Sequence, residues 1–274
     1  MEKQKSSLQS LWGNKMNTNK IDLGKLGFVE LIDFMGSDKD ILQAARVSTG
    51  SNPSKGDAQD EGLIRYLYKN KHSSPFEMCE FKFHIKMPIF VFRQMVRHRT
   101  FSFNEYSLRY SEPINEFYLP NELEWRLQGE KNHQGSGEPI LAENGASLTH
   151  LSRSSMMKDK ENYETLIRQG VSREQARILL PLAQMTEVYA KVDLRNLFHF
   201  LSLRQHSHAQ KEIRDFADAM LLLVKNTNKF PWSIKIFEEM RIVEEAISEA
   251  ISGKTDLKDF AEYITNYRLI RDKE

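Results

Sequence analysis

The chain has 274 residues, 40% of them hydrophobic, with a mean hydropathy of −0.56, so it can bury a packed core and its composition argues against overall disorder. Lys and Arg number 39 against 38 Asp and Glu, a formal net charge of +1, which argues against a surface built throughout for polyanions and leaves room for a local basic pocket. A single cysteine, Cys79, excludes an intramolecular disulfide and a cysteine-rich metal site.

The longest apolar runs, such as MPIFVF and MLLLV, fall far short of the ~20 residues of a membrane span. The opening MEKQKSSLQSLWGNKMNTNK lacks the continuous apolar centre of a secretory signal. A soluble, cytoplasmic protein with no membrane partner is expected, and the lone cysteine suits a reducing compartment.

Residues 1–25 are polar and aperiodic and read as an N-terminal extension, with order expected from GFVELIDFMG onward. Asp38 then precedes DILQAARVS, a capped helix, and DAQDEGLIRYLYKNKH reads as a second, with Leu63, Tyr66, Leu67 and Asn70 at helical spacing. That helix stops at HSSP, because Pro75 disfavours helical geometry in the residue before it. FKFHIKM alternates Phe81, Phe83, Ile85 and Met87 with Lys82, His84 and Lys86, the pattern of a half-buried strand. Pro88 suits the first turn of a following helix, IFVFRQMVRHR. QGEKNHQGSGEPILAENG, residues 128–145, reads as a long loop, and residues 147–169 as a helix. SREQARILLP opens with a capping box, Ser172 to Gln175, and ends at Pro181. QMTEVYAKV has strand character, and LRNLFHFLSLRQHSHAQKEIRDFADAMLLLVKN reads as one or two helices. No internal repeat is evident. Helices dominate and the strands do not alternate regularly with them, which predicts an α+β fold.

The segment RHRTFSFNEYSLRY, residues 97–110, is too polar for a core and too aromatic for a solvated loop. On a helical period Gln94, Arg97, His98 and Phe101 share one side, delivering donors to the point where the chain enters NEYSLRY. Arginine is the planar fork for phosphate and flat acceptors, and Ser107 with nearby backbone N–H groups completes an anion cradle. The alternative is a solvated helix end salt-bridged by Glu105. In LRQHSHAQKEI, helical spacing aligns Arg204, His208 and Lys211. His206 and His208 would face different ways on a helix, with no further ligand at useful spacing, so no metal site is expected. In HSSPFE, His72 satisfies a helix C-terminus, or else Ser74 and Glu77 around the proline turn hold a ligand's ring edge or ribose. Arg177, on a short helix, reads as an exposed charge. No G-x-G-x-x-G, G-x-x-x-x-G-K-[ST] or G-x-S-x-G appears. Chemistry alone therefore stops at an anionic, ring-bearing ligand such as a nucleotide, held by arginines and side-chain donors.

Arg97-His98-Arg99 followed after seven residues by Ser107 resembles the signature of the flavin-dependent thymidylate synthases. ARVS at 45–48, HSSPFE at 72–77, PIFVFRQMVRHR at 88–99, SREQARILLP at 172–181 and LRNLFHFLSLRQHSHAQKEI at 194–213 are similar to that family in order. The resemblance spans a domain of residues 26–242, leaving the 1–25 extension and a 243–274 tail, expected to be helical, unaccounted for. It implies the family's own α+β fold, helices packed with a small, mainly antiparallel sheet and no Rossmann domain. It also implies a homotetramer with active sites between subunits. FAD, NADPH, dUMP and 5,10-methylenetetrahydrofolate would be used, and dTMP and tetrahydrofolate formed.

Carried over by position, the resemblance gives Arg204 the role of polarising the uracil ring. It places Gln94, Met95, Val96, Arg97, Glu105, Tyr106, Ser107, Leu108, Arg109 and Arg177 with Arg204 around dUMP, Arg177 reaching in from another subunit. His72, Ser74, Arg97, His98, Arg99, Glu105, Asp193, Arg195 and His199 would surround FAD, with His72 near the flavin and the nicotinamide or folate face. Asp193 and His199 stand where some relatives have asparagine; Asp193 keeps the acceptor role and loses the donor. Cys79, beside no evident base, reads as a small buried residue, and Ser107 has no neighbouring general base, so hydride chemistry without an enzyme nucleophile is expected. Two rival readings are a nucleic-acid-binding module, which needs a wider basic surface than this charge allows, and a nucleotide sensor that binds without turnover. Neither rival would be yellow.

Overall fold

The computed structural model describes residues 16–17, 19–48, 50, 56–129 and 135–251. Among the described residues two compact units form, one within Met1–Met35 and Phe76–Thr227 and the other within Gly36–Pro75 and Asn228–Glu274.

The first unit is built on an antiparallel sheet. Its strands are β1 (Met16–Asn17), β2 (Lys20–Asp22), β3 (Phe28–Met35), β4 (Glu80–Pro88), β5 (Ser102–Glu105) and β8 (Met185–Asp193), in spatial order β1-β2-β3-β4-β8-β5. The alternation of FKFHIKM fixes the central strand: Phe81, Phe83, Ile85 and Met87 are all fully buried, while Lys82, His84 and Lys86 turn to the other face. β4 pairs along its whole length with β8, from Glu80 opposite Asp193 to Pro88 opposite Met185. Gly27, at φ 120°, makes the approach of β3 to β4 possible, since a Cβ there would lie 2.0 Å from the Lys86 carbonyl oxygen.

Helices cover this sheet. α4 (Ile89–Met95) packs on β4, α7 (Leu194–Arg204) on β8, and α8 (Lys211–Asn226) on β2 and β3. α8 buries Ile213, Phe216, Ala217, Met220, Leu221, Leu223 and Val224, a helical stripe facing the sheet. The same unit holds the hairpin of β6 (Arg126–Gln128) and β7 (Ser136–Pro139), the long α5 (Ala142–Arg168) and the short α6 (Arg173–Ala176).

The second unit packs α1 (Asp38–Val47), α2 (Asp57–Lys69) and α9 (Pro231–Ile251) together. The short α3 (Ser74–Glu77) lies where the chain leaves it. Asp38 is buried and serves α9 rather than its own helix, accepting from the backbone N–H groups of Trp232 (2.7 Å) and Ser233 (3.2 Å). Burial raises its pKa, and those hydrogen bonds oppose the rise.

The α+β expectation holds: the sheet is small and antiparallel, and no Rossmann domain is present among the described residues. Several boundaries differ. The supposed extension already carries β1 and β2, because Ile21 is buried and β2 pairs with β3. The loop expected at 128–145 contains β7 and the first turn of α5; residues 130–134 lie outside the described ones. At Ser172 the hydroxyl makes no cap, and the Ser172 carbonyl accepts from Gln175 N and Ala176 N instead. The expected tail is helical to Ile251, and the rest of it lies outside the described residues.

Candidate active site

The helix read through Arg99 ends at Met95, because His98 and Phe101 turn inward, each only 7% exposed, and β5 then pairs with β8. Backbone bonds from His98 N to Met95 O (3.0 Å) and from Phe101 N to His98 O (3.2 Å) close the turn. Met95 is fully buried, so its side chain belongs to the core. Val96 is half-buried and Arg97 and Arg99 are exposed. Arg204, the last residue of α7, meets this turn. Its Nε donates to His98 Nε2 at 3.0 Å and its Nη2 to the Gln94 carbonyl at 3.3 Å. Burial, then the positive charge of Arg204 and the neighbouring His199, lower the His98 pKa to about 4, so the ring is neutral and can accept. Burial also lowers the pKa of Arg204.

The strand after the turn places the next group. Glu105 ends β5, and its Oε1 accepts from the buried Thr186 hydroxyl at 3.0 Å. Partial burial raises its pKa, opposed by that hydrogen bond and by Arg93 and Arg177. Tyr106 is tied by its N–H to Glu187 O and by its hydroxyl to Glu112 O, both at 2.8 Å. Ser107, half-buried like Leu108, accepts from Arg109 N at 3.3 Å through its hydroxyl, while its carbonyl receives Tyr110 N and Ser111 N. Arg109 forks onto Glu174 at 2.9 and 3.2 Å, and Arg177 Nε donates to the Glu174 carbonyl at 3.3 Å. Both partners of the Arg109–Glu174 pair are about half exposed (52% and 53%), so the pair is held weakly and open to competition by an anion. Thr186 and Glu174 escaped the sequence reading; each sits beside a recognised motif without chemistry of its own to mark it.

Among the described residues the side chains of Arg97, Arg99 and Arg195 have no hydrogen-bond or ion-pair partner. Arg195 and His199 stand four residues apart on α7, hence on one face, and the His199 ring lies 6.0 Å from that of His98. Asp193 is the N-cap of α7, with Oδ1 accepting from Asn196 N at 2.9 Å and Oδ2 from Asn196 Nδ2 at 2.6 Å. His72 and Ser74 belong to the second unit, where His72 packs beside Tyr66 at 5.7 Å between ring centroids.

The alignment of Arg204, His208 and Lys211 fails, because α7 ends at Arg204 and α8 begins only at Lys211. The intervening turns bring the His206 and His208 rings together at 4.6 Å, contrary to the divergence a helix would impose. Among the described residues no cluster of His, Cys, Asp and Glu could hold a metal, and no helix is long and apolar enough to cross a membrane. Cys79 is fully buried at the entry to β4, with its carbonyl accepting from Leu194 N at 2.8 Å.

An antiparallel α+β unit that carries a guanidinium at a helix end, a neutral imidazole in a turn and a partly buried carboxylate at a strand end belongs to a class of folds distinct from the doubly wound nucleotide folds. The sequence profile of the thymidylate synthase complementing protein family matches residues 30–232. The chain is 48% identical over 220 residues to the flavin-dependent thymidylate synthase of Ruegeria pomeroyi, covering 79% of this chain and 72% of that one. It is 43% identical over 251 residues to that of Wolbachia pipientis wMel, covering 90% and 84%. Among solved structures, the UMP/dUMP methylase PolB from Streptomyces cacaoi bound with 5-Br dUMP matches with a TM-score of 0.68 at 35% identity, covering 77% of this chain and 94% of that one. The chain belongs to the flavin-dependent thymidylate synthase family.

Proposed function

We propose that the chain converts dUMP to dTMP, taking carbon from 5,10-methylenetetrahydrofolate and a hydride from FAD reduced by NADPH, and releasing tetrahydrofolate. The observation that carries this reading is Arg204, whose guanidinium is braced by His98 Nε2 and the Gln94 carbonyl. Two of about five guanidinium N–H groups are used there, which leaves three for a planar acceptor. Such a fork can hold the charge that develops on a uracil carbonyl oxygen when the ring is activated.

Arg109 suits the dUMP phosphate, which would displace the Glu174 carboxylate from it, and Arg177 would reach the phosphate in another subunit's site. Gln94, Arg97, Glu105 and Ser107 would complete the nucleotide site, with Met95, Val96, Tyr106 and Leu108 lining it through backbone and packing. The donor set fits FAD: the guanidinium groups of Arg97, Arg99 and Arg195 have no partner among the described residues and suit its diphosphate. His98, Glu105 and His199 would meet its polar edges. Asp193 can still accept there, since each oxygen already serving Asn196 keeps a further lone pair. Bound FAD would supply the hydride that turns the transferred methylene into a methyl group. No enzyme nucleophile is needed, and the full burial of Cys79 supports that.

We place the enzyme in the cytoplasm as a homotetramer with active sites between subunits, binding neither nucleic acid nor membrane. The exposed apolar side chains on α5 and the β6–β7 hairpin support the assembly.

The test is the visible spectrum of the purified protein, NADPH oxidation with and without dUMP, and chromatographic detection of dTMP. A flavin spectrum with dUMP-dependent dTMP formation is expected. Arg204→Ala should keep FAD and lose ~100-fold or more in dTMP formation; normal turnover would sink the role given to Arg204. Cys79→Ala should keep most of the activity, and a folded but dead variant would restore a thiolate mechanism. A protein that neither takes up FAD nor oxidises NADPH would overturn the whole reading.

A further inference from the structure

We infer that His98 is a positioning residue for Arg204, aiming its guanidinium by accepting the Nε–H; the inference rests on the synthase reading above. An arginine side chain is long and rotatable, so a guanidinium that must meet a flat ring edge gains from a fixed second contact. His98 offers it from a ring that cannot swing. It is 7% exposed and lies edge-on to Phe200 (4.9 Å, 75°), Phe101 (6.3 Å, 69°) and His199 (6.0 Å, 65°). Phe200 and Arg204 are four residues apart on α7, so one imidazole packs on one face of the helix and hydrogen-bonds the last residue of that same face.

The chemistry also fixes the proton. Guanidinium has donors and no acceptor, so the 3.0 Å contact requires an unprotonated Nε2 and places the ring hydrogen on Nδ1. An imidazolium would set N–H against N–H and release Arg204. The neutral state that burial imposes on His98 is therefore the state that Arg204 needs.

Packing alone and positioning are separated by two substitutions. His98→Leu fills the space without an acceptor, whereas His98→Gln brings a carbonyl oxygen to the same reach. In His98→Leu assayed at saturating FAD, dUMP affinity and kcat for dTMP should fall about 10–100-fold, as for loss of a hydrogen bond to a charged group. His98→Gln should recover most of that loss. In an Arg204→Ala background, His98→Leu should weaken dUMP binding by less than about twofold further, because the two residues act as a unit. Equal losses in His98→Leu and His98→Gln, or full additivity with Arg204→Ala, would overturn the inference. If His98→Leu does not fold, 15N-histidine NMR of the wild-type holoenzyme decides: the Nδ1–H neutral tautomer supports it, and Nε2–H or an imidazolium at neutral pH ends it. Wild-type protein that binds dUMP yet forms no dTMP would sink the synthase reading, while dUMP affinity and the tautomer still test the positioning.

Discussion

His98 joins stability to chemistry at a single ring. Its pKa falls from 6.5 to about 4 on folding, so between those values the unfolded chain binds a proton that the folded chain refuses. Stability therefore rises with pH through that window, and as pH falls the loss accumulates from 6.5 downward and levels off below about 4. The melting temperature should accordingly drop between about pH 7 and pH 4.5, and His98→Gln should drop less. Scanning calorimetry of the two proteins at matched ionic strength checks this; parallel slopes would show that His98 does not titrate differently in the two states. The residue type was legible in the RHR run, but its inward turn was not. A helical wheel continued through Arg99 puts His98 beside Gln94 and Arg97 on a common surface, whereas burial against Phe200 comes from a helix a hundred residues away. Asp193 makes the same point: a position compared with a flavin contact turns out to cap α7.

At the scale of elements, the same substitution should act with opposite sign on two helices. Gly145 lies in α5 where a Cβ would sit 1.9 Å from the Glu122 carbonyl oxygen, a backbone atom that cannot move aside cheaply. Gly145→Ala should cost about 1–3 kcal/mol. Gly62, inside α2, has nothing within 4 Å of its missing Cβ, and Gly62→Ala should gain about 0.5–1 kcal/mol from helix propensity. Denaturant unfolding of both variants measures the pair, and a stabilising Gly145→Ala would show that α5 does not rest on the Glu122 segment. Elements with a strong period, β4 and α8 above all, were readable because one face had to be buried. Helix ends were not, since α4 stops at the turn that buries His98 and Phe101 ahead of β5, and α7 stops at the turns holding His206 and His208.

For the whole molecule, the informative surface is apolar. Leu123, Leu127, Leu141 and Leu151 are each more than half exposed, and Met157, Ile178 and Leu182 are 64–79% exposed on the same unit. Single exposed leucines mean little, but Leu127 on β6 and Leu151 and Met157 on α5 add to Leu123, Leu141, Ile178 and Leu182 on one unit, an exposed apolar content that a covering partner would bury. Under the tetramer reading, sedimentation at micromolar concentration should give four times the 32.0 kDa of the chain, with activity lost on dilution below the assembly range. A fully active monomer would remove the shared active site.

The sequence by itself determined the class of fold and the family. Alternation and helical period dictate which faces are buried, and the RHR-x7-S run with its five accompanying stretches in order is too specific a combination to arise by chance. Only the tertiary structure decided that Arg204 rests on His98, that Arg109 and Arg177 converge on Glu174, and that Asp38 caps a helix nearly two hundred residues away. These are contacts between distant segments, set by strand pairing and packing, and no local period in a chain records them.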